Sequence, residues 1–138
     1  MPGEPAAWSN WGILALRQGN FDAAAERFNR ALSLDRGNDR LYYLRGLLES
    51  DRGNSAQAIS DLREAVKRNP RNLRALYQLA SEVERQGDEH RQVDVGQLMQ
   101  QLLNAPPDDL AALLDLSRFA AKRGDTATLR SAVGRIQA

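Results

Sequence analysis

Apolar residues along this chain fall at helical spacing in short runs, and each run stops at a break rich in Gly, Asn or Asp. Trp8, Trp11, Ile13, Leu14 and Ala15 recur as one helical face before Gln18-Gly19-Asn20 interrupts the pattern. Ala24, Phe28, Ala31 and Leu32 then resume it at steps of four, three and one. The spacing predicts a helix, a turn and a second helix, each with a single apolar face. Gly19 falls where the first helix must end, at a position that calls for the positive φ that glycine adopts without steric cost.

The same layout returns down the chain. Gly53, Gly87 and Gly124 follow Gly19 at intervals of 34, 34 and 37 residues, which divides the chain into blocks at about 5–38, 39–72, 73–109 and 110–138. One helix pair cannot bury its apolar face alone, so such copies must stack. The first block resembles the tetratricopeptide repeat (TPR) through Trp8, Trp11, Gly12, Ala24, Phe28 and Ala31, with Ala15 in place of the usual Tyr and Arg36 in place of the closing proline. The second block supplies Tyr42, Gly46, Gly53, Ala58, Leu62, Ala65 and Pro70, and the third opens with Leu76, Leu79, Ala80, Val83 and Gly87. The fourth offers Leu113, Leu116, Ala120, Gly124, Leu129, Val133 and Ile136. This resemblance implies an all-α TPR-type solenoid of about eight helices in antiparallel pairs, wound as a right-handed superhelix. Residues 5–138 then form a single repeat domain behind an N-terminal extension at 1–4.

Two departures carry expectations of their own. Counting on from Gly87 puts Gln92, Gly96 and Met99 in the core slots of the second helix, whereas a shift of three residues gives Val95, Met99 and Leu102 and brings Pro107 to the closing proline slot. The extra residues therefore lie in Asp88-Glu89-His90-Arg91-Gln92, as a lengthened turn or an early start to the sixth helix around 88–92, and their charge places them in water. Arg45 sits where the family buries Leu, with Glu49 four residues on. These two read as an i,i+4 ion pair whose heads reach solvent, or as a weakened seam that opens for a ligand. On the first reading Arg45→Leu raises the melting temperature.

Charge and composition narrow the function classes. A formal net charge of +1 lacks the basic excess of general nucleic-acid binders. Acidic and basic residues alternate, as on solvated helices that bear i,i+4 pairs such as Glu26 with Arg30. No run approaches the roughly eighteen apolar residues of a membrane helix, and the first residues show no secretory signal. With 0 cysteines, disulfides and thiolate metal sites are excluded, and the compartment stays undefined. No phosphate-binding glycine loop, HExxH or GxSxG occurs. His90, beside Asp88, Glu89 and Asp94, reads as a solvated turn rather than a metal site, and Asp108 and Asp109 read as helix-capping acids rather than a catalytic pair. The expectation is a non-catalytic protein with no cofactor and no metal.

In the family, the first helix of each pair lines the concave wall. The resemblance implies that the inward stripe holds Ser9, Ile13 and Arg17, then Arg40, Tyr43, Leu47 and Asp51, then Arg74, Tyr77, Ser81 and Arg85, and last Leu114, Arg118 and Lys122. Basic residues outnumber acidic ones there, and two Arg–Tyr pairs recur in the same slots of consecutive repeats. Arg and Tyr favour recognition hot spots. The partner-binding candidates are therefore Arg17, Arg40, Tyr43, Leu47, Arg74, Tyr77, Ser81, Arg85, Arg118 and Lys122, receiving a peptide or partner helix that carries carboxylates. The subclass that grips a C-terminal EEVD carboxylate is not matched, since Ser9, Ile13 and Leu44 stand where it uses Lys or Asn. The rival reading is an assembly module: Trp8 and Trp11 are large for an uncovered first helix, and Val133 and Ile136 would be exposed on the last. Residues 53–87 also look like TPR segments that precede larger domains in some bacterial extracytoplasmic proteins.

Overall fold

The computed structural model describes residues 3–87, 89–104 and 109–137, with residues 89–94 through their backbone. Among them are eight helices and no strand: α1 (Pro5–Arg17), α2 (Phe21–Leu34), α3 (Asp39–Asp51), α4 (Ser55–Arg68), α5 (Leu73–Gln86), α6 (Glu89–Leu103), α7 (Leu110–Arg123) and α8 (Thr126–Gln137). They form antiparallel pairs, α1 with α2, α3 with α4, α5 with α6 and α7 with α8. The chain divides into two compact units, residues 1–72 with α1–α4 and residues 73–138 with α5–α8.

The pairs close through one device. Gly19, Gly53, Gly87 and Gly124 have φ of 74°, 81°, 68° and 75°, the left-handed region that the sequence calls for. In the first turn Gly19 N–H donates to the Leu16 carbonyl (3.0 Å) and Asn20 N–H to the Ala15 carbonyl (2.9 Å), and equivalent bonds close the turns at Gly53 and Gly124. This is the Schellman arrangement, which satisfies carbonyls that the helix end would otherwise orphan. The residue after the glycine then caps the next helix. Asn20, Asn54 and Asp125 accept side-chain hydrogen bonds from the N–H groups of Ala23, Gln57 and Thr128 at 3.3, 3.5 and 3.0 Å. The backbone bond from Thr128 holds the Asp125 carboxyl below its ordinary range. That cap is therefore present at neutral pH and lost as acid titrates Asp125 through its lowered folded-state pKa. Asp109 caps α7 through Ala112 N–H at 3.1 Å, as expected, while Asp108 lies outside the described residues.

In the first unit Phe28, Ala24, Ala31, Leu41, Leu44 and Leu48 bury a common core with Trp8 and Ala15, and Ala58, Leu62 and Ala65 are fully buried along α4. Two glycines permit the close approach of paired helices. A Cβ at Gly12 would lie 2.6 Å from the Phe28 ring, and one at Gly46 would lie 2.8 Å from Leu62 Cγ. In the second unit Val95, Met99 and Leu102 are buried and Gly96 is exposed, which bears out the shift of three. The turn is not lengthened. Helix α6 starts at Glu89, two residues past its glycine like its counterparts, so the added residues form an early helical turn. Their side chains, His90 among them, lie outside the described residues, as does Pro107.

Three expectations need correction. Arg45 does not pair with Glu49. It donates from Nε and Nη2 to both carboxylate oxygens of Asp61 at 3.0 and 2.8 Å, and from Nη1 to Asn29 Oδ1 at 3.1 Å. Asp61 projects from the buried face of α4 with only 3% of its side chain exposed, so a fork-shaped bidentate donor across the pair outcompetes a surface neighbour. Its hydrogen bonds raise the Arg45 pKa against the opposing effect of burial. Glu49 instead accepts from Asn54 at 3.2 Å. Arg30 is likewise not engaged with Glu26 and lies over the Trp8 ring at 5.7 Å, an attractive placement over the aromatic face. In α8 the buried residues are Thr128 and Ala132, whereas the repeat pattern names Leu129, Val133 and Ile136. Val133 is exposed, as expected of the last helix, while Ile136, expected exposed beside it, is half-buried, as is Leu129.

Two stability outcomes follow from this packing. Gly12→Ala should lose about 1–2 kcal/mol, because overpacking against the buried Phe28 ring exceeds the gain in helix propensity, whereas Gly96→Ala, with open space around it, should gain up to about 1 kcal/mol. Denaturant titration of both variants checks the opposite signs. Arg45→Leu should lower stability by roughly 3 kcal/mol by leaving Asp61 buried and unpaired, and the double replacement Arg45→Leu with Asp61→Leu should recover most of that loss. A melting temperature raised by the single replacement would contradict the account.

Candidate functional site

On α3, Arg40, Tyr43 and Leu47 share one face at i, i+3 and i+7. Tyr43 and Leu47 are half-buried and pack against the core of the first unit, as do Ile13 and Leu16 of α1. Arg40 and Arg17 are exposed and make no ion pair among the described residues. Apolar bodies thus rest on the core while cationic heads stand free beside them.

The second unit repeats the arrangement on α5, where Arg74, Tyr77 and Ser81 share a face. Arg74 is exposed and Tyr77 and Ser81 are half-buried. The Tyr77 ring meets Phe119 of α7 edge-on, with centroids 6.0 Å apart and planes at 76°. That geometry sets the electropositive edge of one ring against the face of the other and fixes the tyrosine. Arg118 and Lys122 stand exposed on α7 near Leu114, which is 40% exposed. Arg85 is a weaker candidate than its slot implied. It donates to both oxygens of the buried Glu82 at 2.9 and 3.0 Å, so its charge is already answered. Arg123, outside the expected stripe, pairs with Glu84 across α7 and α5.

The slots that the chaperone-tail subclass needs are closed here. Ser9 is buried and donates to the Ala6 carbonyl at 3.0 Å, and Leu44 is a core residue. The apolar surface expected on α1 is present but unevenly shared. Trp8 is buried, whereas Trp11 and Leu14 are 40% and 51% exposed. The Arg27 guanidinium covers Trp11 at 3.7 Å from the ring centroid and donates to the Trp11 carbonyl at 3.1 Å. Among the described residues no group of three or more His, Cys, Asp or Glu is placed to hold a metal, and no helix is long and apolar enough to cross a membrane.

Sequence reasoning missed Phe119 as the support of Tyr77, and it missed Asp61 and Asn29 as the partners of Arg45. The signal for Asp61 was available: a carboxylate between Ile59 and Leu62 falls on the apolar face of a helix, where it needs a cation.

Two tetratricopeptide repeat models match the chain, one over residues 5–38 and the other over residues 43–98. Solved structures of the same architecture include a crystal structure of MamA, 16% identical with a TM-score of 0.75, which covers 99% of this chain and 80% of that one. Another is the first TPR of Spaghetti (RPAP3) bound to the HSP90 peptide SRMEEVD, 17% identical with a TM-score of 0.71, covering 88% of this chain and 94% of that one. At these identities the likeness is one of fold. No curated protein matches the chain.

Proposed function

Because the chain belongs to the tetratricopeptide repeat family, whose repeats are typically non-catalytic interaction modules, we propose that it captures protein partners on the exposed faces of its odd-numbered helices. The observation that carries this reading is the recurrence of a free arginine one turn before a half-buried tyrosine, Arg40 with Tyr43 and Arg74 with Tyr77. A tyrosine held by the core loses little side-chain entropy on binding, and a nearby unpaired guanidinium gives direction to a carboxylate. Arg17 adds to this charge in the first unit, and Arg118 and Lys122 add to it in the second. The partner is thus an extended peptide or helix bearing acidic side chains. A structural neighbour holds a peptide that ends in acidic residues, which supports peptide capture as a use of the fold. The closed Ser9 and Leu44 positions argue against that particular peptide here. Cationic charge without a basic excess overall gives nucleic acid no comparable support.

A second reading has its own observation. Trp11 and Leu14 are exposed on α1 and Val133 on α8, surfaces that self-association would cover. Light scattering over a concentration series separates the two. A mass held at 15.3 kDa up to high micromolar concentration would eliminate assembly through these helices.

The capture reading is tested with a peptide selected from a random library and measured by fluorescence anisotropy. Tyr43→Ala and Tyr77→Ala together should weaken its binding by about thirtyfold or more, the loss of a typical hot spot, with helicity retained by circular dichroism. Unchanged affinity in a folded double variant would reject these faces.

A further inference from the structure

Helix α3 presents a second, chemically distinct face. Arg45, Glu49 and Arg52 lie roughly half a turn around the helix from Arg40, Tyr43 and Leu47, at about 100° per residue. They open with Asn29 of α2, Asn54 and Gln57 onto a hollow of about 430 Å³, inside the size range of small-ligand sites.

The hydrogen bonds around this hollow leave an excess of donors. Arg45 is fixed in place by Asp61, and its bonds engage Nε–H and one N–H on each terminal nitrogen. One N–H therefore remains on Nη1 and one on Nη2. Since Asn29 accepts from Arg45 through Oδ1, its Nδ2 donors are left over. Among the described residues the Gln57 side-chain amide makes no hydrogen bond. Arg52 is loosely held, reaching Asp22 and Glu49 only at 3.5 and 3.8 Å. Of the acceptors, Glu49 Oε2 takes the Asn54 amide and Asn54 Oδ1 faces the Gln57 backbone N–H, while Glu49 Oε1 lies 3.8 Å from Arg52, a contact that Arg52 exchanges for the ligand on closing.

We propose that this hollow is an oxyanion site specific for a carboxylate, with Arg45 as its fixed floor and Arg52 as the arm that closes on the ligand. A carboxylate can accept from the N–H groups left on the two terminal nitrogens of Arg45, while the Asn29 and Gln57 amides supply further donors. Prior anchoring of Arg45 on Asp61 means that the ligand does not have to order it. The carboxylate can belong to a small free acid or to an acidic side chain of a protein partner. In either case the site is separate from the Tyr43 face, and neither depends on the other.

The test is a titration of the ¹⁵N-labelled protein followed by NMR. Sodium acetate and the capped peptide acetyl-Ala-Glu-Ala-amide serve as probes, with sodium chloride at equal ionic strength as the reference. Saturable shifts are expected at the Asn29 and Gln57 side-chain amides and at Arg52 Nε–H. They should weaken at least fivefold in Arg52→Gln, which leaves the Arg45–Asp61 pair intact, and should be unaffected in Tyr43→Ala. Tighter binding of the peptide would assign the site to a protein side chain, and equal or tighter binding of acetate to a free acid. Shifts that chloride reproduces, or that survive Arg52→Gln unchanged, would overturn the proposal.

Discussion

The reversal of the chain within two residues is the constraint on which the rest of the structure depends. A helix that must turn back against itself needs a left-handed residue at its end, and glycine supplies it without strain. An Asn or Asp next in line then starts the returning helix by capping it. Gly19-Asn20, Gly53-Asn54 and Gly124-Asp125 perform both steps in two positions. A turn this short leaves no freedom in how the pair meets. The two helices must then approach closely, which is why Gly12 and Gly46 face Phe28 and Leu62 without room for a methyl group.

Close pairing also decides which side chains remain for recognition. In α3 the Leu41, Leu44 and Leu48 side is committed to the core and Gly46 to the approach of α4. Two strips remain, one bearing Arg40 and Tyr43 and the other bearing Arg45 and Arg52. Arg45 belongs partly to both worlds. Its attachment to Asp61 satisfies a buried carboxylate, and the same bonds hold its outer edge still. Losing the arginine would expose the cost of burying Asp61 as well as alter the surface, so structural and binding roles at this position are separable only through Arg52 or through a paired replacement.

Most of the fold was legible because the repeat states it several times. The four glycines, the four-three spacing of Ala24, Phe28 and Ala31, and the displaced trio Val95, Met99 and Leu102 all appear where spacing alone puts them. What spacing could not supply was the choice among polar partners. Arg45 has Glu49 on its own helix and Asp61 across the pair, and only three-dimensional burial ranks the second above the first. In α8 the pattern did not name the buried residues Thr128 and Ala132, because they are small and weakly apolar beside Leu129 and Val133. Slot positions named the tyrosines of the candidate faces, but their supports were hidden, since Phe119 reaches Tyr77 from another helix.

The difference between those supports bears on how the faces would work. Tyr43 packs against the core of the first unit, and Tyr77 meets the ring of Phe119 edge to face. Packing therefore does not impose tyrosine on both slots in the same way; a leucine would serve either contact as apolar filling. In both units an arginine that makes no ion pair among the described residues stands one turn away. On the proposed capture reading, an apolar ring with a polar tip beside a free cation offers a peptide a contact area that is already ordered before the partner arrives.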